Sequence, residues 1–273
     1  MSGANLTRWC AHGVTLLGER CLPGGVTFAF TERTGGVSTG SYASLNLGDA
    51  CGDDPSAVAE NRRRALRALG AEGLGERLVN PKQVHGDHVV VIRSNSPEAV
   101  RAALEEARAG ADAIVCTAPE VPVLLCFADC VPIVLVAPRG FAVVHSGWKG
   151  TIARIVGKAV RMLCQEAGCA PSALRAYVGP HIGVADYEVS EELLERFVQA
   201  FGQVVRGEGR TLDLGAAVCA TLKEAGVNQA STTVVEESTA STTERFYSHR
   251  AENGRTGRHG ALAVLAGIQD EEA

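Results

Sequence analysis

Three residues whose side chains bind transition metals or act as nucleophiles lie at apolar segment ends in the hydrophobic middle of the chain. His85 stands in QVHGDHV, Cys130 in FADCVP and His145 in VVHSGWKG. Each lies where a strand is expected to give way to a turn, so the three side chains can line a cleft. A thiolate and two imidazoles suit zinc above all, and three protein ligands leave open the fourth position of a catalytic site.

The spacing of these residues does not by itself establish a metal site. The intervals are too long for a zinc finger and the chain has no Cys-x-x-Cys pair, whereas a lone Cys and distant His are commonly structural. The local context favours chemistry, because Asp129 directly precedes Cys130 and is the expected proton shuttle. A metal-free alternative stays open, in which Cys130 is a nucleophile and His145 its base.

Two cationic residues are candidates for binding a phosphate. Lys149 follows His145 in SGWKG, at a glycine-bounded helix start whose free N–H groups favour an anion. Arg33 lies beside two glycines in ERTGGVS, in a loop that can approach a ligand closely. His181, in VGPHIG, is a candidate fourth ligand or substrate contact. Each of the three can instead serve only to hold its own loop.

The composition excludes several classes of protein. The 273 residues carry a net charge of −5 and no Lys/Arg-rich run, which argues against a nucleic-acid binder. No apolar run reaches the length of about 18–20 residues that a membrane helix needs, and the N-terminus does not read as a signal peptide. The nine scattered cysteines favour reduced thiols in a cytoplasmic protein over a disulfide framework.

The hydrophobic pattern predicts strands and helices without regular alternation, and therefore a layered α/β or α+β domain with mixed sheets covered by helices, rather than a barrel or doubly wound fold. A hairpin is expected where residues 78–84 and 88–93 flank Gly86-Asp87. One long helix is expected from about residue 150 to 167. Further strands are predicted at 27–31, 113–116, 122–127, 132–137, 141–145, 174–178, 232–235 and 261–268, and further helices at 54–70, 191–200 and 212–225.

The motifs taken together resemble those of the bacterial YfiH/YlmD family, called peptidoglycan editing factors or laccase-domain polyphenol oxidases, which also includes the mammalian protein FAMIN. They occur in family order between about residues 27 and 265, and their joint signal is far more specific than any one of them. The matching segments are FTERTGGVSTGSYASLNLG, VAENRRR, QVHG, GADAIV, FADCVPIVL, AVVHSGWKGT, VGPHIG, YEV, RFYSHR and TGR.

The resemblance implies one YfiH-like domain over residues 1–273 and a metal site formed by His85, Cys130 and His145. It implies a zinc-dependent purine nucleoside phosphorylase acting on adenosine, inosine and methylthioadenosine, with adenosine deaminase activity. Nucleoside and phosphate are then the partners, and the oligomeric state stays open. The catalytic set is expected to comprise His85, Cys130, His145 and Asp129, and the substrate or phosphate contacts Arg33, Asn46, Lys149 and His181.

Two other functions stay open on the same resemblance. One is a polyphenol oxidase using copper in place of zinc, although a four-copper set needs about ten histidines and the chain has seven. The other is a Cys–His hydrolase that edits peptidoglycan precursors. The chain also departs from the family pattern, with His181 and Asp186 where cysteine is common and His249 where tyrosine is common.

Overall fold

The computed structural model of the protein describes residues 6–20, 22 and 24–267. Two β-sheets form its centre, and six α-helices are present among the described residues. The strands are Thr7–Ala11 (β1), Val14–Glu19 (β2), Val26–Thr31 (β3), Val89–Ile92 (β4), Ala113–Cys116 (β5), Val123–Phe127 (β6), Val131–Ala137 (β7), Gly140–Ser146 (β8), Arg175–Val178 (β9), Thr232–Val234 (β10) and His259–Leu265 (β11). The helices are Pro55–Leu69 (α1), Pro97–Gly110 (α2), Trp148–Ile152 (α3), Ile155–Ala167 (α4), Glu191–Phe201 (α5) and Leu214–Glu224 (α6).

The two sheets differ in strand direction. The first has the order β1-β2-β3-β11-β6 and is antiparallel throughout. The second has the order β10-β9-β7-β8-β5-β4, with parallel pairs at both edges and antiparallel pairs between them. The central strands β7 and β8 are buried along their whole length, as expected for a sheet covered on both faces.

Apolar side chains on the strand faces define four layers. Phe28 and Leu125 of the first sheet share one buried cluster with Val134 and Val143 of the second, so the two sheets pack face to face. The outer face of the first sheet packs against α1, and the outer face of the second packs against α4, α5 and α6. The layered fold of helices and sheets predicted from the sequence is therefore confirmed.

Two local predictions are wrong. The segment 78–84 forms no strand and makes only the isolated bridge Val79–Val123, while β4 pairs in parallel with β5, so there is no hairpin at Gly86-Asp87. The long helix is interrupted between α3 and α4, where Arg154 adopts a left-handed φ of 60°. Its guanidinium donates to the carbonyl of Ala200 and to Glu224, contacts that accompany the break.

The longest connection without regular structure comes near the end of the chain. Residues 235–258 run between β10 and β11 without forming a helix or a strand. Within the described chain, no helix is both long and apolar enough to span a membrane.

Candidate metal centre

Strand pairing brings together two of the three residues that the sequence singles out. Cys130 directly precedes β7, and His145 lies in β8 opposite Pro132, so the register places the two side by side. His85 reaches them from the irregular segment before β4. One ligand atom from each residue lies within 4.8 Å of the others, although the residues are up to sixty positions apart in sequence. The predicted triplet is therefore assembled in space.

A glycine leaves room for these side chains. A Cβ atom on Gly147 would lie 2.9 Å from Cδ2 of His85, closer than real Cβ atoms come, and 3.0 Å from Sγ of Cys130, tighter than most real Cβ contacts. The φ of Gly147 is −78°, so the backbone alone would allow any residue there. The lack of a side chain at this position therefore serves the space around the triplet rather than a turn.

One buried carboxylate organises both histidines. Oδ1 of Asp112 accepts a hydrogen bond from Nδ1 of His145 at 2.8 Å and one from the backbone N–H of His85 at 3.0 Å. Oδ2 accepts from the N–H groups of Gly86 at 2.7 Å and Val84 at 3.2 Å. This arrangement leaves Nε2 of His145 available to the triplet and fixes its tautomer, as a carboxylate does for a metal-binding histidine.

Mutual charge stabilises the ionised forms of the site. Burial opposes ionisation of the Cys130 thiol, but the imidazoles of His145 and His85 outweigh it and lower the pKa of Cys130. Burial likewise opposes protonation of His145, but the Cys130 thiolate and Asp112 raise the pKa of His145. Burial opposes ionisation of Asp112 too, yet its bond with His145 holds the pKa of that carboxyl below its usual value. The thiolate is the form of cysteine that binds metals.

Backbone geometry at the site is unusual. His85 has a φ of 58° and Asp129, next to Cys130, a φ of 84°, both in the left-handed region that non-glycine residues rarely adopt. Such conformations cost about 1–3 kcal/mol each and persist where surrounding contacts impose them. At His85 the Asp112 bonds impose the turn. At Asp129 the carboxylate accepts from Thr239 and from the N–H of Arg250.

The triplet opens on a cavity of about 850 Å³. His85 is exposed, Cys130 is half-buried and His145 is buried, so access is from the His85 side. The wall carries polar side chains of both charges along with apolar groups. The lining includes Gly48, Asp49, Ala50, Cys51, Lys82, Arg108, Asp129, Tyr187, His249, Arg250 and Arg258.

The whole pattern of strands and motifs has a known counterpart. A family model described as multi-copper polyphenol oxidoreductase laccase matches residues 27–266. The chain belongs to this laccase-domain family. The resemblance to the YfiH/YlmD proteins is thereby confirmed.

Relatives of this laccase-domain chain carry the name purine nucleoside phosphorylase. The protein of that name from Deinococcus radiodurans is 39% identical over 245 residues, covering 88% of this chain and 89% of the relative. Another, from Streptomyces coelicolor, is 36% identical over 218 residues, covering 78% of this chain and 86% of the relative. The crystal structure of YlmD from Geobacillus stearothermophilus matches with a TM-score of 0.81 and 30% identity, covering 95% of this chain and 98% of that one. YfiH from Bacillus licheniformis matches with a TM-score of 0.82 and 27% identity, covering 93% and 97%.

The donor set fits a transition metal. A thiolate and two imidazoles, one oriented by a buried carboxylate, are the ligands and the support that zinc and copper both accept. The tight space beside Gly147 and the convergence of the three donors agree with that reading. The site therefore suggests a metal, and its chemistry alone does not select between the two.

The two cations predicted to bind phosphate lie elsewhere and are not cavity residues. Arg33 donates to the carbonyls of Ala43 and Thr243 and to Glu252, and its guanidinium stacks on Tyr247. Lys149 is exposed, with its ammonium 5.4 Å from the ring centroid of Trp148. Lys149 lies in α3, which has only five residues, so the predicted helix start is short. Arg33, by contrast, connects the loops that contain Ala43 and Thr243.

Asn46 and His181 are both buried and do not line the cavity. Oδ1 of Asn46 accepts from the N–H groups of Gly48 and Arg258, and its amide donates to the carbonyl of Gly48. Asn46 therefore fixes residues that do line the cavity. Nδ1 of His181 lies 2.8 Å from the carbonyl oxygen of Gly179, and its ring packs against α6.

Of the three remaining positions, Asp129 and His249 line the cavity and Asp186 does not. Asp129 lines the cavity, but both of its carboxylate oxygens already accept hydrogen bonds, which favours a positioning role over a proton shuttle. Asp186 accepts hydrogen bonds from Ser238 and Ser241 and so holds a loop. His249, in contrast, is an exposed residue of the cavity wall.

Sequence reasoning missed Asp112 and Gln83. The Gln83 side chain both donates to and accepts from the backbone of Cys126 at 2.8 Å, which ties the His85 segment to β6. Gln83 lies two residues before His85 in QVHG, and Asp112 lies in GADAIV at the start of a strand. Both residues lie in motifs that can be recognised in the sequence. For Asp112, however, the sequence shows only a carboxylate that precedes an apolar segment.

Proposed function

We propose that the protein is a zinc-dependent purine nucleoside phosphorylase acting on adenosine, inosine and methylthioadenosine. The observation that carries this proposal is the His85–Cys130–His145 triplet opening on a cavity whose wall includes cations that have no carboxylate partner among the described residues. A nucleoside and a phosphate need such a combination of apolar wall and positive charge. The names of the relatives from Deinococcus and Streptomyces support the same class of reaction.

In phosphorolysis a phosphate oxygen forms a bond to C1′ of the ribose while the bond from C1′ to the purine nitrogen breaks. The electron pair leaves with the base, which takes up a proton, and the products are ribose 1-phosphate and the free purine. When bound, zinc would supply a Lewis acid that stabilises developing negative charge. The chain holds both reactants in one cavity, and Asp112 keeps His145 and the His85 turn in place.

We propose adenosine deamination as a second activity of the same cavity. In that reaction water replaces the exocyclic amine and ammonia leaves, so no phosphate is consumed. Both reactions need the purine in the same cavity, and they can therefore be separated by omitting phosphate.

The test uses purified zinc-loaded protein with inosine, adenosine or methylthioadenosine, with and without phosphate. We expect hypoxanthine or adenine together with the sugar 1-phosphate when phosphate is present, and inosine from adenosine without it. Dialysis against a chelator should abolish both reactions and zinc should restore them, while Cys130→Ala should remain inactive. The proposal is wrong if the zinc-loaded protein forms none of these products.

A second candidate has its own observation. Cys130, His145 and Asp112 are linked in series, the arrangement of a Cys–His–Asp hydrolase. Such an enzyme could act on peptidoglycan precursors without a metal. Chelation separates the two cases, because it would spare this hydrolase and stop the phosphorylase.

The family description favours a third candidate, a copper-dependent polyphenol oxidase. Among the described residues, a single cluster of three metal-binding side chains is found, which is one metal site rather than a four-copper set. Oxygen uptake with a phenol by copper-loaded protein tests this candidate directly. We also propose that the protein works in the cytoplasm, since its eight described cysteines are all free thiols.

A further inference from the structure

The charges of the cavity wall are not balanced. Lys82, Arg108 and Arg258 line the same cavity as Asp49. The Asp49 carboxylate is already occupied, with Arg108 at 2.9 Å and Arg62, from outside the cavity, at 3.3 Å. Arg108 is therefore paired. Lys82 and Arg258 form no ion pair with any described residue, so unpaired positive charge remains in the cavity.

Arg258 is held in place but keeps donors free. Its Nη1 donates to the carbonyls of Thr256 and Gly257 at 2.8 Å, which leaves Nε and Nη2 without a partner among the residues described. Its side-chain stem packs against Gly48, where a Cβ would lie 2.7 Å from Cγ of Arg258. Glycine at position 48 is thus required for the arginine to cross the loop at this point.

The loop next to Arg258 offers a further donor. Residues Gly48–Cys51 form a turn in the cavity wall. Over the described part of the chain, the N–H group of Ala50 donates to no protein acceptor. Buried Asn46 binds both Gly48 and the backbone of Arg258, so one residue fixes the loop and the arginine relative to each other.

Arg250 offers a weaker alternative in the cavity wall. Its guanidinium stacks on Tyr187, and its two Nη atoms donate to the carbonyls of Asp186 at 3.5 Å and Glu188 at 3.0 Å. Arg258 uses only one Nη atom for carbonyls of the described residues, so it keeps more donors for a ligand than Arg250 does.

We infer that Lys82, Arg258 and the N–H group of Ala50 form a subsite for a phosphate dianion in the cavity of the metal centre. A guanidinium, an ammonium and a backbone N–H group match the several acceptor oxygens of phosphate. The inference rests on the proposed phosphorolysis for its role, because the phosphate there is the attacking co-substrate. Asn46, a predicted substrate contact, acts as the positioning residue of this subsite.

The experiment compares Lys82→Ala and Arg258→Ala with the parent protein, all zinc-loaded. We expect the KM for phosphate to rise about tenfold or more in each, as for loss of one charge-assisted hydrogen bond, and the KM for inosine to change less than about twofold. Arg258→Lys keeps the positive charge but loses the forked donors of the guanidinium, so its KM for phosphate should lie between those of the parent protein and Arg258→Ala. Arg139→Ala, an exposed arginine in the β7–β8 turn, is the matched control.

A second measurement does not depend on turnover. Titration calorimetry with inorganic phosphate should show binding to the parent protein and at least tenfold weaker binding to Lys82→Ala, whose exposed side chain is not needed for folding.

The results separate the subsite from the reaction. If the parent protein forms no ribose 1-phosphate but binds phosphate through Lys82 and Arg258, the proposed function fails and the subsite stands. If phosphorolysis occurs with an unchanged KM for phosphate in both alanine variants, the function stands and the subsite is wrong. Failure of the parent protein to bind millimolar phosphate also overturns the subsite.

Discussion

Replacing Asp112 by asparagine tests whether the buried carboxylate supports the metal centre. The two carboxylate oxygens accept four hydrogen bonds, two on each oxygen. Asparagine keeps one accepting oxygen and turns an NH₂ group toward the other two donors. With the NH₂ group on the Oδ2 side, the N–H groups of Val84 and Gly86 lose their acceptor. With it on the Oδ1 side, the N–H of His85 loses its acceptor and His145 must change tautomer. In both orientations the negative charge behind His145 is lost.

The size of the effect follows from these contacts. Loss of a carboxylate that orients a metal-binding histidine weakens metal affinity by about 10- to 100-fold, or about 1.4–2.8 kcal/mol. The metal-free protein should also lose stability, by about 1–3 kcal/mol for buried donors left without a charged acceptor. We therefore expect Asp112→Asn to fold, to bind zinc more weakly, and to need more zinc for the same activity.

Zinc affinity is measured by competition with a chromophoric chelator, and stability by urea unfolding of the metal-free protein. The matched control is Asp54→Asn, which changes the same groups at the exposed start of α1 and should leave zinc affinity unchanged. Wild-type zinc affinity in Asp112→Asn would refute the role assigned to this carboxylate. A loss of stability without a loss of affinity would make it purely structural.

Three further predictions concern other parts of the molecule. Gly147→Ala should weaken zinc binding more than about tenfold while the fold is kept, because the added Cβ meets His85 and Cys130 at about 3 Å; metal competition checks this. Burial lowers the pKa of His259 to about 3, so the stability that its neutral form contributes is complete above about pH 6.5 and is lost as the pH falls toward 3. Urea unfolding from pH 7 to 4 should show a shallower loss in His259→Phe than in the parent protein, and equal slopes would contradict it. Glu32→Gln should lower the unfolding free energy at pH 7 by about 2 kcal/mol, because Arg8 and Arg245 lose their buried carboxylate partner. The loss is moderate because the Arg8 side chain is more than half exposed to solvent.

The fold class and the His85–Cys130–His145 triplet could be predicted from the sequence, for reasons that can be named. Short apolar runs broken by Pro, Gly and Asp mark buried strands whether or not their partners are known, and β5 to β8 all appear where they were expected. The triplet was weak on spacing and became specific only through the surrounding motifs. The helix α1 was also marked locally, by Asp54 as its cap and Gly70 at its end.

The features that could not be predicted from the sequence depend on contacts between distant segments. Gly86-Asp87 has the composition of a hairpin turn, but Asp112 takes the N–H groups that such a turn would use, and β4 pairs with β5 instead. Arg33 and Lys149 have the right charge beside the right glycines, yet the first is consumed by distant carbonyls and the second faces solvent. Charge and loop composition predict which residues can bind an anion, not which of them face the cavity.

The pairing of Pro132 with His145 has a consequence for folding. His145 shares the face of β8 that looks toward the other sheet, where its ring lies 5.4 Å from that of Phe127. A shift of β8 by a single residue would turn every one of its side chains to the opposite face and point this imidazole at the helices. If a metal binds at the triplet, we therefore expect its stoichiometric uptake by a refolded sample to report that the central strands have paired in the native register.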